Sequence, residues 1–314
     1  MASSAPPAGC VARPATVDDI PALVALFVRR DEGLGIQPEP VGAFLQWMFG
    51  LPYVRLERDT VVLEREGAVV GSLTAFRDPA SPGAALHSEG AVDPSMRGRG
   101  LGSWFISWLD AAARGRSDEL PFDLHTLCPA ADAAGAMLLR AAGFDLVRRS
   151  WEMAIDLSVP RPPLGTPPGV ALRTFEVGRD ERTFWQIHET AFEGHFGFTP
   201  SPFESWEGEW YRSDSWDASR VVFAEVDGET VGVAGWVDAD TDGYVADVSV
   251  LPAHRRRGLA GAMLRRLFDD IERAGKQRAT LTVDSENAHG AVGLYEGAGM
   301  HAYREWHVYG RRIA

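Results

Sequence analysis

The spacing of apolar residues divides the chain into two halves that predict the same order of strands and helices. Each half begins with a short strand and an amphipathic helix, within Val11–Phe27 and within Ala171–Phe192. A hairpin of two strands follows in each half, at Val61–Phe76 and at Val221–Trp236, with a Glu-Gly or Asp-Gly turn. The pattern therefore predicts one structural unit that occurs twice.

A second helix is predicted in each half, directly after a loop rich in arginine and glycine. Apolar residues recur there with the spacing of one helix face: Leu101, Trp104, Phe105, Trp108, Leu109 and Ala112 in the first half, and Ala260, Leu264, Leu267, Phe268 and Ile271 in the second. Stripes with this period face a sheet by default, so these aromatic residues are interpreted as core.

The distance between matching positions indicates a tandem duplication. Gly67 and Gly228 are 161 residues apart, and the Gly100–Gly258 distance is 158 residues. A period of this length is a whole domain and not the short repeat of a solenoid. Proline and glycine cluster between the halves, which is typical of a linker. The predicted organisation is a disordered leader at 1–10, a first domain at 11–157, a linker at 158–169 and a second domain at 170–314.

Composition narrows the classes of function. The chain has 44 acidic and 31 basic residues and a formal net charge of -13, which argues against a general nucleic-acid binder.

No apolar run reaches about 18 residues, and the start lacks a basic segment followed by an apolar one, so neither a membrane span nor a secretory signal is expected. Two cysteines, Cys10 in the leader and Cys128, fit a reducing cytoplasm. The histidines and carboxylates show no metal-ligand spacing, so no metal is predicted.

The arginine-glycine loops have the features of an anion site. Each follows a strand and opens a helix, where free N–H groups and the positive end of the helix dipole lie. Glycine permits a close approach of the backbone, and arginine adds a forked cation. These features favour a phosphate or pyrophosphate ligand. The loops lack the terminal Lys-Ser/Thr of a P-loop and the glycine spacing of a dinucleotide fold.

The sequence resembles the GNAT (GCN5-related) acyltransferases at these loops. Arg97-x-x-Gly100-x-Gly102 and Arg255-x-x-Gly258-x-Ala260 are similar to the family's coenzyme A pyrophosphate motif, and Val248–Pro252 resembles its fourth strand. The tandem arrangement is similar to the actinobacterial mycothiol synthase group. The resemblance implies an α/β fold of two tandem GNAT domains, each a splayed mixed sheet flanked by helices, with acetyl-CoA bound in the cleft of the sheet.

The resemblance also assigns roles to residues. Backbone groups of Val248, Ser249 and Val250 would hold the pantetheine arm and the thioester, and one strand N–H near Val250 would stabilise the oxyanion. The pyrophosphate would lie against Arg255, Arg256, Arg257, Gly258, Leu259, Ala260 and Gly261, with Asn287 nearby. The corresponding first-half residues are Val92, Arg97, Gly98, Arg99, Gly100, Leu101 and Gly102.

Direct transfer of an acyl group to an amine requires an acid for the leaving thiolate and a base for the amine. Tyr295 matches the family's tyrosine acid. Asp247 lies on the predicted fourth strand where related enzymes carry an acidic residue, although the family position one residue earlier is Ala246. Three further residues remain open as candidates: Glu193, Glu225 and Tyr244.

The first half lacks part of this set. Glu89 matches Asp247, but Leu139 or Arg140 stands where the second half has Tyr295, and neither can act as the acid. The first copy is therefore expected to bind cofactor or to support the fold. The second half has a loop dense in aromatic residues after its first helix, at Phe192–Trp206, which is called the aromatic loop below. In this loop, His195 and Phe196 are candidates for acceptor binding. The helix residue His188 is interpreted as structural, and His254 as a surface residue.

The resemblance implies an acetyl-CoA-dependent N-acetyltransferase that acts on a primary amine of a small molecule or a peptide. Mycothiol synthase activity is one specific alternative. A non-catalytic acyl-CoA sensor and an enzyme for longer acyl chains are the others. The protein is expected to be a monomer or a homodimer, because a tandem pair can imitate the dimer of single-domain relatives.

Overall fold

The structure is a computed structural model that describes residues 5–38, 41–78, 84–116, 121–163, 165–208, 216–287 and 290–314. It contains two compact units. The first unit consists of Met1–Ser150 together with Arg304–Ala314, and the second of Trp151–Tyr303. The last residues of the chain therefore belong to the first unit.

The elements follow one another twice in nearly the same order. The first half of the chain forms β1 (Val11–Arg13), α1 (Ile20–Leu34), α2 (Gly42–Gly50), α3 (Leu56–Asp59), β2 (Thr60–Arg65), β3 (Ala68–Phe76), β4 (Leu86–Val92), α4 (Leu101–Arg114), β5 (Phe122–Pro129), α5 (Ala133–Ala141) and β6 (Asp145–Asp156). The second half forms β7 (Val170–Thr174), α6 (Glu181–Phe192), α7 (Phe203–Trp206), β8 (Val221–Val226), β9 (Glu229–Ala239), β10 (Asp242–Val250), α8 (Leu259–Arg273), β11 (Arg278–Asp284), α9 (Ala291–Gly297) and β12 (His301–Ile313).

The hairpins predicted from the sequence are present in both halves. Glu66 and Asp227, each the first residue of a tight turn, have a φ of 53°, and the glycines that follow, Gly67 and Gly228, have φ values of 80° and 82°. A two-residue turn with positive φ at both positions matches the twist of the flanking strands and favours glycine at the second position.

Each unit has a mixed sheet. In the first unit, β1 to β4 pair antiparallel in sequence order, β4 pairs parallel with β5, and β5 pairs antiparallel with β12. In the second, β7 to β10 pair antiparallel and β10 pairs parallel with β11, next to which β6 lies. This confirms the predicted mixed α/β fold.

The two parallel strands separate soon after they meet. The β10–β11 register consists of two pairs and ends at Tyr244 opposite Thr280, although β10 continues to Val250. In the first unit the β4–β5 register ends at Ser88 opposite Thr126. The strands therefore leave a wedge at their carboxyl ends, and the chain turns there into α8 or α4.

Helices cover both faces of each sheet. In the second unit, one apolar cluster joins the sheet to α8, with Leu264 and Leu267 fully buried, and another joins it to α6 through Phe184. The first unit has the same two layers, around α4 and around α1 with α2. The aromatic stripe of α4 is core, as predicted: Trp104 and Phe105 are buried.

Several boundaries differ from those predicted from the sequence. Residues 151–157, assigned to the first domain, belong to the second unit. Residues 304–314, assigned to the second domain, belong to the first unit because β12 pairs with β5 over Trp306–Ile313. Cys10, assigned to a disordered leader, is buried in the first unit's core, and its N–H donates to Pro7. Positions 1–4 of that leader lie outside the described residues.

The predicted linker, of which residue 164 is not described, belongs to the second unit. Arg161 donates to Asp269 (3.0 Å) and to Glu272 (2.7 Å), both on α8. A Cβ atom added to Gly258 would lie 2.9 Å from Cγ of Pro167. The linker is therefore fixed against α8 and the loop before it.

Candidate functional site

The arginine-glycine loop joins β10 to α8 in an unusual backbone conformation. Arg256 has a φ of 61° and Gly258, the residue before the helix, has a φ of 80°. In the first unit Gly98 and Gly100 have φ values of 74° and 83°. Both loops reach a helix of 14 or 15 residues whose first-turn N–H groups point back toward the loop. Both units therefore have a positive-φ glycine directly before a helix, which is where the sequence predicts an anion site.

The three loop arginines differ in their contacts. The guanidinium of Arg255 donates to the carbonyl of Val250 (3.2 Å) and to that of Ala191 (2.8 Å), so it joins the end of β10 to the end of α6. Arg256 and Arg257 are exposed, and Nη1 of Arg257 lies 3.1 Å from Nδ1 of His254. The sequence motif does not distinguish the three arginines. In the structure Arg256 and Arg257 are exposed to solvent, whereas Arg255 holds the loop in place.

The first unit's Arg97, which matches Arg255, has a different contact. Its Nη2 lies 3.9 Å from Oδ1 of Asp132, the residue before α5. Its side chain is 40% exposed. The loop arginine of the first unit is therefore less constrained than that of the second.

β10 carries two buried polar side chains on the face toward α6. A register shift between Val245 and Asp247 makes Ala246 a bulge, so the departure from the family pattern noted in the sequence lies at this bulge. Asp247 and Ser249 are 3% and 1% exposed. Among the described residues, Oδ1 of Asp247 and Oγ of Ser249 have no hydrogen-bond partner. Buried polar atoms without a partner are costly, and they commonly mark a functional site.

Asp247 is paired with a histidine from α6. Nδ1 of His188 lies 2.5 Å from Oδ2 of Asp247, and the two side chains are 15% and 2% exposed. The sequence interpretation of His188 as a structural residue missed this pair. The two residues are separated by 59 positions, so no local pattern joins them.

A comparison of the two copies, position by position, shows that His188 differs from its counterpart in the first unit. In the second unit Arg173 binds Asp180 and Glu225, and in the first unit Arg13 binds Asp19 and Glu64 in the same way. These ion pairs fix the register of the two helices at an offset of 161 residues between the two aspartates. His188 then corresponds to Phe27, a buried core residue. A histidine in place of a core phenylalanine distinguishes the second copy from the first.

Tyr295 is half-buried on α9 and packs against the core of the second unit. Burial raises the pKa of its phenol well above the usual value, and the charges of Asp247 and Tyr244 raise it further. The phenol therefore keeps its proton at neutral pH. Because α9 lies beside β11 and the His188–Asp247 contact joins α6 to β10, the three side chains belong to elements that border the wedge of the second unit.

The first unit has no such group of side chains at the matching positions. Leu139 is buried in the core, and Arg140 is exposed with its guanidinium 5.5 Å from the ring centre of Tyr309. Glu89, which matches Asp247, lies on β4 across from Thr74.

The lower-ranked candidates for the base have other environments. Glu225 accepts a hydrogen bond of 2.6 Å from Nε of Arg173, so its carboxylate is part of the ion pairs that hold α6. Glu193 is exposed directly after α6. Tyr244 lies at the last β10–β11 pair, and its interaction with Tyr295 raises the pKa of that phenol. Asn287, expected near the cofactor, donates its backbone N–H to Asp284 after β11.

The aromatic loop after α6 is tied back onto that helix. Nε1 of Trp185 donates to the carbonyl of Ser201 (2.9 Å), and the N–H of Ser201 donates to Glu189 (3.1 Å). Burial raises the pKa of the Glu189 carboxyl, although the Ser201 N–H and His188 act in the opposite direction. These bonds hold the chain at Ser201 against α6.

Inside this loop, the ring of His195 lies 5.0 Å from that of Phe192, which in turn lies 4.6 Å from the ring of His188. Phe198 lies 6.1 Å from His188. Phe196 is 39% exposed. The loop that the sequence assigns to the acceptor therefore packs directly against the His188–Asp247 pair.

Within the described parts of the chain, no group of three or more His, Cys, Asp or Glu side chains is arranged to hold a metal ion. The helices described there are also too short or too polar to cross a membrane.

Comparison with known proteins agrees with these features. The model of the acetyltransferase (GNAT) family matches the chain twice, at residues 26–144 and 183–300. A mycothiol acetyltransferase of Thermobispora bispora is 29% identical over 302 residues, which cover 91% of this chain and 93% of the relative. The mycothiol acetyltransferase of Thermomonospora curvata is 31% identical over 80% of this chain and 82% of its own length.

Solved structures of other proteins have a similar fold. A GCN5-related N-acetyltransferase from Sphaerobacter thermophilus is 27% identical and superposes with a TM-score of 0.83, over 98% of this chain and 97% of that one. A tandem GNAT protein from the clavulanic acid biosynthesis pathway is 16% identical, with a TM-score of 0.71 over 96% and 98% of the two chains, a likeness of fold.

Proposed function

Because the chain belongs to the GNAT family of N-acetyltransferases, we propose that its second unit transfers an acetyl group from acetyl-CoA directly to a primary amine of a small molecule. One observation carries the assignment to this unit. Tyr295, whose phenol can give a proton to the leaving sulfur, lies on α9 beside β11 and packs against the apolar cluster that contains Val250 of β10. The matching position in the first unit, Leu139 or Arg140, offers no such acid.

The residues around the wedge fit a coenzyme A thioester. Beyond Tyr244 the backbone edge of β10 is no longer paired with β11, so Val248, Ser249 and Val250 are placed to bind an extended amide-containing arm. The first-turn N–H groups of α8, from Leu259 to Gly261, and the exposed Arg256 and Arg257 would hold a pyrophosphate. Acetyl-CoA would supply the activated acetyl group.

The side chains supply the proton transfers of the reaction. As the amine nitrogen bonds to the thioester carbon, the carbon–sulfur bond breaks, and Tyr295 gives its proton to the departing sulfur. A strand N–H near Val250 would stabilise the charge that develops on the carbonyl oxygen. The proton that the amine loses passes to the pair formed by Asp247 and His188. The enzyme returns to its starting state when the phenolate of Tyr295 takes up a proton again.

The first unit is proposed to support the fold and to keep an anion-binding loop without catalysis. It retains the positive-φ glycines Gly98 and Gly100 before α4. It has Phe27 in place of His188 and Leu139 or Arg140 in place of Tyr295. Coenzyme A binding by the first-unit loop is tested separately. Equilibrium binding of coenzyme A to a protein with a substituted second-unit loop measures it for Val92, Arg97, Arg99, Leu101 and Gly102.

The acceptor is proposed to be a small molecule that enters beside His195 and Phe196. A mycothiol precursor is the second, more specific candidate, because the relatives named mycothiol acetyltransferase match most of the chain. Both cysteines are buried and unpaired, which fits a reducing compartment such as the cytoplasm.

The test is thiol release from acetyl-CoA, followed continuously against a panel of small primary amines and of peptides with a free amino terminus. The panel includes the cysteinyl amine precursor of mycothiol. Product mass is measured as well, because a thiol acceptor reacts with the detection reagent. Transfer to one class of small amine supports the proposal. Protein that binds acetyl-CoA but transfers to no amine contradicts it and favours an acyl-CoA sensor or a longer acyl donor.

A further inference from the structure

We propose that His188 is the group that removes the proton from the acceptor amine, and that Asp247 is a positioning residue that acts through it. The inference rests on the proposed function and deepens it. Its starting point is the contact between Nδ1 of His188 and Oδ2 of Asp247 at 2.5 Å. A carboxylate can only accept, so this contact places the proton of neutral imidazole on Nδ1. The lone pair is then on Nε2, the nitrogen directed away from Asp247.

Burial distinguishes the two members of the pair. The Asp247 side chain is 2% exposed and that of His188 is 15% exposed. Oδ2 of Asp247 contacts the imidazole and Oδ1 is buried from solvent, so both carboxylate oxygens are less accessible to an amine than the imidazole is. His188 lies between Asp247 and the aromatic loop, with Phe192 and Phe198 against its ring. The imidazole is therefore the part of the pair nearer to the place proposed for the acceptor.

Titratable and charged groups from several elements surround His188. Asp247 faces it from β10, and Glu189, next to it on α6, interacts with it electrostatically. His195 approaches through Phe192 from the loop. The phenol of Tyr295 from α9 interacts electrostatically with Asp247 and with Tyr244, both on β10. Arg255 reaches this region, but its guanidinium donates to the carbonyls of Val250 and Ala191.

The first unit indicates that the fold does not need a histidine at this position. Phe27 occupies it and is 5% exposed within an apolar cluster. Glu89 keeps the acidic position on the matching strand. The unit that lacks the tyrosine acid thus also lacks the histidine, as expected if the two side chains serve one reaction.

The proton balance of the step is complete. The amine nitrogen forms the new bond to the acetyl carbon and gives one proton to Nε2 of His188. Asp247 stays ionised and stabilises the imidazolium, as the aspartate of a Ser-His-Asp triad does. Tyr295 supplies a different proton, to the sulfur. The imidazolium then returns its proton, directly or through water, to the phenolate, which restores both side chains.

The experiment compares His188→Phe, His188→Gln and Asp247→Asn with the wild-type full chain, and uses His301→Gln as the matched control. His188→Phe reproduces the residue of the first unit, so it is expected to fold, and circular dichroism and acetyl-CoA binding check this. His301 is exposed at the start of β12, away from the pair. The expected result for His188→Phe and His188→Gln is a fall of about 100-fold or more in kcat/KM for the amine. The affinity for acetyl-CoA is expected to stay unchanged, and His301→Gln to behave as wild type.

A second readout is independent of turnover. In protein labelled with ¹⁵N-histidine, the His188 imidazole of the wild type is expected to carry its proton on Nδ1. Asp247→Asn is expected to shift the tautomer toward Nε2–H. A merely structural role of Asp247 would leave the tautomer unchanged.

The outcomes separate the inference from the function on which it rests. Wild-type protein that transfers acetyl to no amine overturns both. Wild-type transfer that His188→Phe retains within threefold overturns the inference alone. Loss of transfer in Asp247→Asn with full activity in both His188 variants also overturns it, because Asp247 would then act as the base itself.

Discussion

Phe27 in the first unit and His188 in the second occupy the same position of the repeat, eight residues after the aspartate that binds the first strand's arginine. Both side chains pack on a helix that covers the sheet. Only His188 meets a carboxylate, at 2.5 Å from Asp247. The two units therefore share a scaffold and differ in the groups that can move a proton.

Replacing Tyr295 by phenylalanine is predicted to lower kcat by about 100-fold or more, the usual effect of losing a general acid. The raised pKa of the phenol keeps it protonated, so it can supply a proton at neutral pH. Steady-state kinetics with a saturating amine measure this effect, and the KM for acetyl-CoA should change little. Tyr303→Phe, on β12, is the control. Equal rates for Tyr295→Phe and the wild type would mean that another group, or water, protonates the sulfur.

Replacing Gly258 by alanine is predicted to weaken acetyl-CoA binding. Gly258 has a φ of 80°, which costs an L-residue about 1 kcal/mol or more, and the added Cβ would also meet Pro167. A loop that shifts to relieve this strain is expected to lose roughly five- to tenfold in affinity. Isothermal titration with acetyl-CoA and the KM for acetyl-CoA measure the effect.

Gly100→Ala is the matched variant of the first unit, because Gly100 has a φ of 83° and the same place before a helix. It is expected to leave the rate of transfer unchanged, whatever it does to binding in its own unit. A larger loss of transfer in Gly100→Ala than in Gly258→Ala would reverse the assignment of the catalytic unit.

Asp19→Asn is predicted to destabilise the protein at neutral pH and to have little effect in acid. The hydrogen bonds from Arg13 hold the pKa of Asp19 at about 2, with burial acting in the opposite direction. A carboxylate with a lowered pKa stabilises the folded state above its unfolded pKa of about 3.9, and this contribution disappears as the pH falls to about 2. We expect a loss on the order of 1–2 kcal/mol at pH 7, since Arg13 is partly exposed.

Urea unfolding of the two proteins at several pH values between about 3 and 7 measures this contribution. The difference between them should shrink below pH 5. The exposed neighbour Asp18 provides a control, since Asp18→Asn removes the same charge without the Arg13 bonds. A difference that stays constant with pH would show that packing, and not the ion pair, causes the loss.

Substitutions of Tyr309 are predicted to affect the first unit, although the residue follows the second copy in the sequence. Tyr309 is fully buried opposite Thr126 of β5, and its hydroxyl has no partner among the described residues. Tyr309→Ala should cost about 3–5 kcal/mol through the cavity it leaves. Tyr309→Phe removes a buried unpaired hydroxyl and should be neutral or stabilise the unit by about 1 kcal/mol.

Hydrogen exchange locates the effect of Tyr309→Ala. The amides of β5 (Phe122–Pro129) should lose protection first, and those of β11 (Arg278–Asp284) should keep it longer. Early loss of protection in β11 would mean that the last strand supports the second unit instead.

The sequence by itself determined the features that depend on local spacing. Helix faces, hairpin turns and the glycines before α4 and α8 follow from the period of the side chains and from the φ that each position requires. The repeat of these local features predicted two like units, and the loop motif with Tyr295 predicts that the second unit is the catalytic one.

Tertiary structure decided which distant elements meet. Alternation along a strand tells which face is buried but not which strand lies beside it, so the pairing of β12 with β5 could not be predicted from either strand. The same holds for His188 and Asp247, which lie 59 residues apart and meet only because α6 packs across β10. The direction of Arg255, toward two backbone carbonyls, also depends on where α6 ends. Contacts of this kind are set by long-range packing, which no local period encodes.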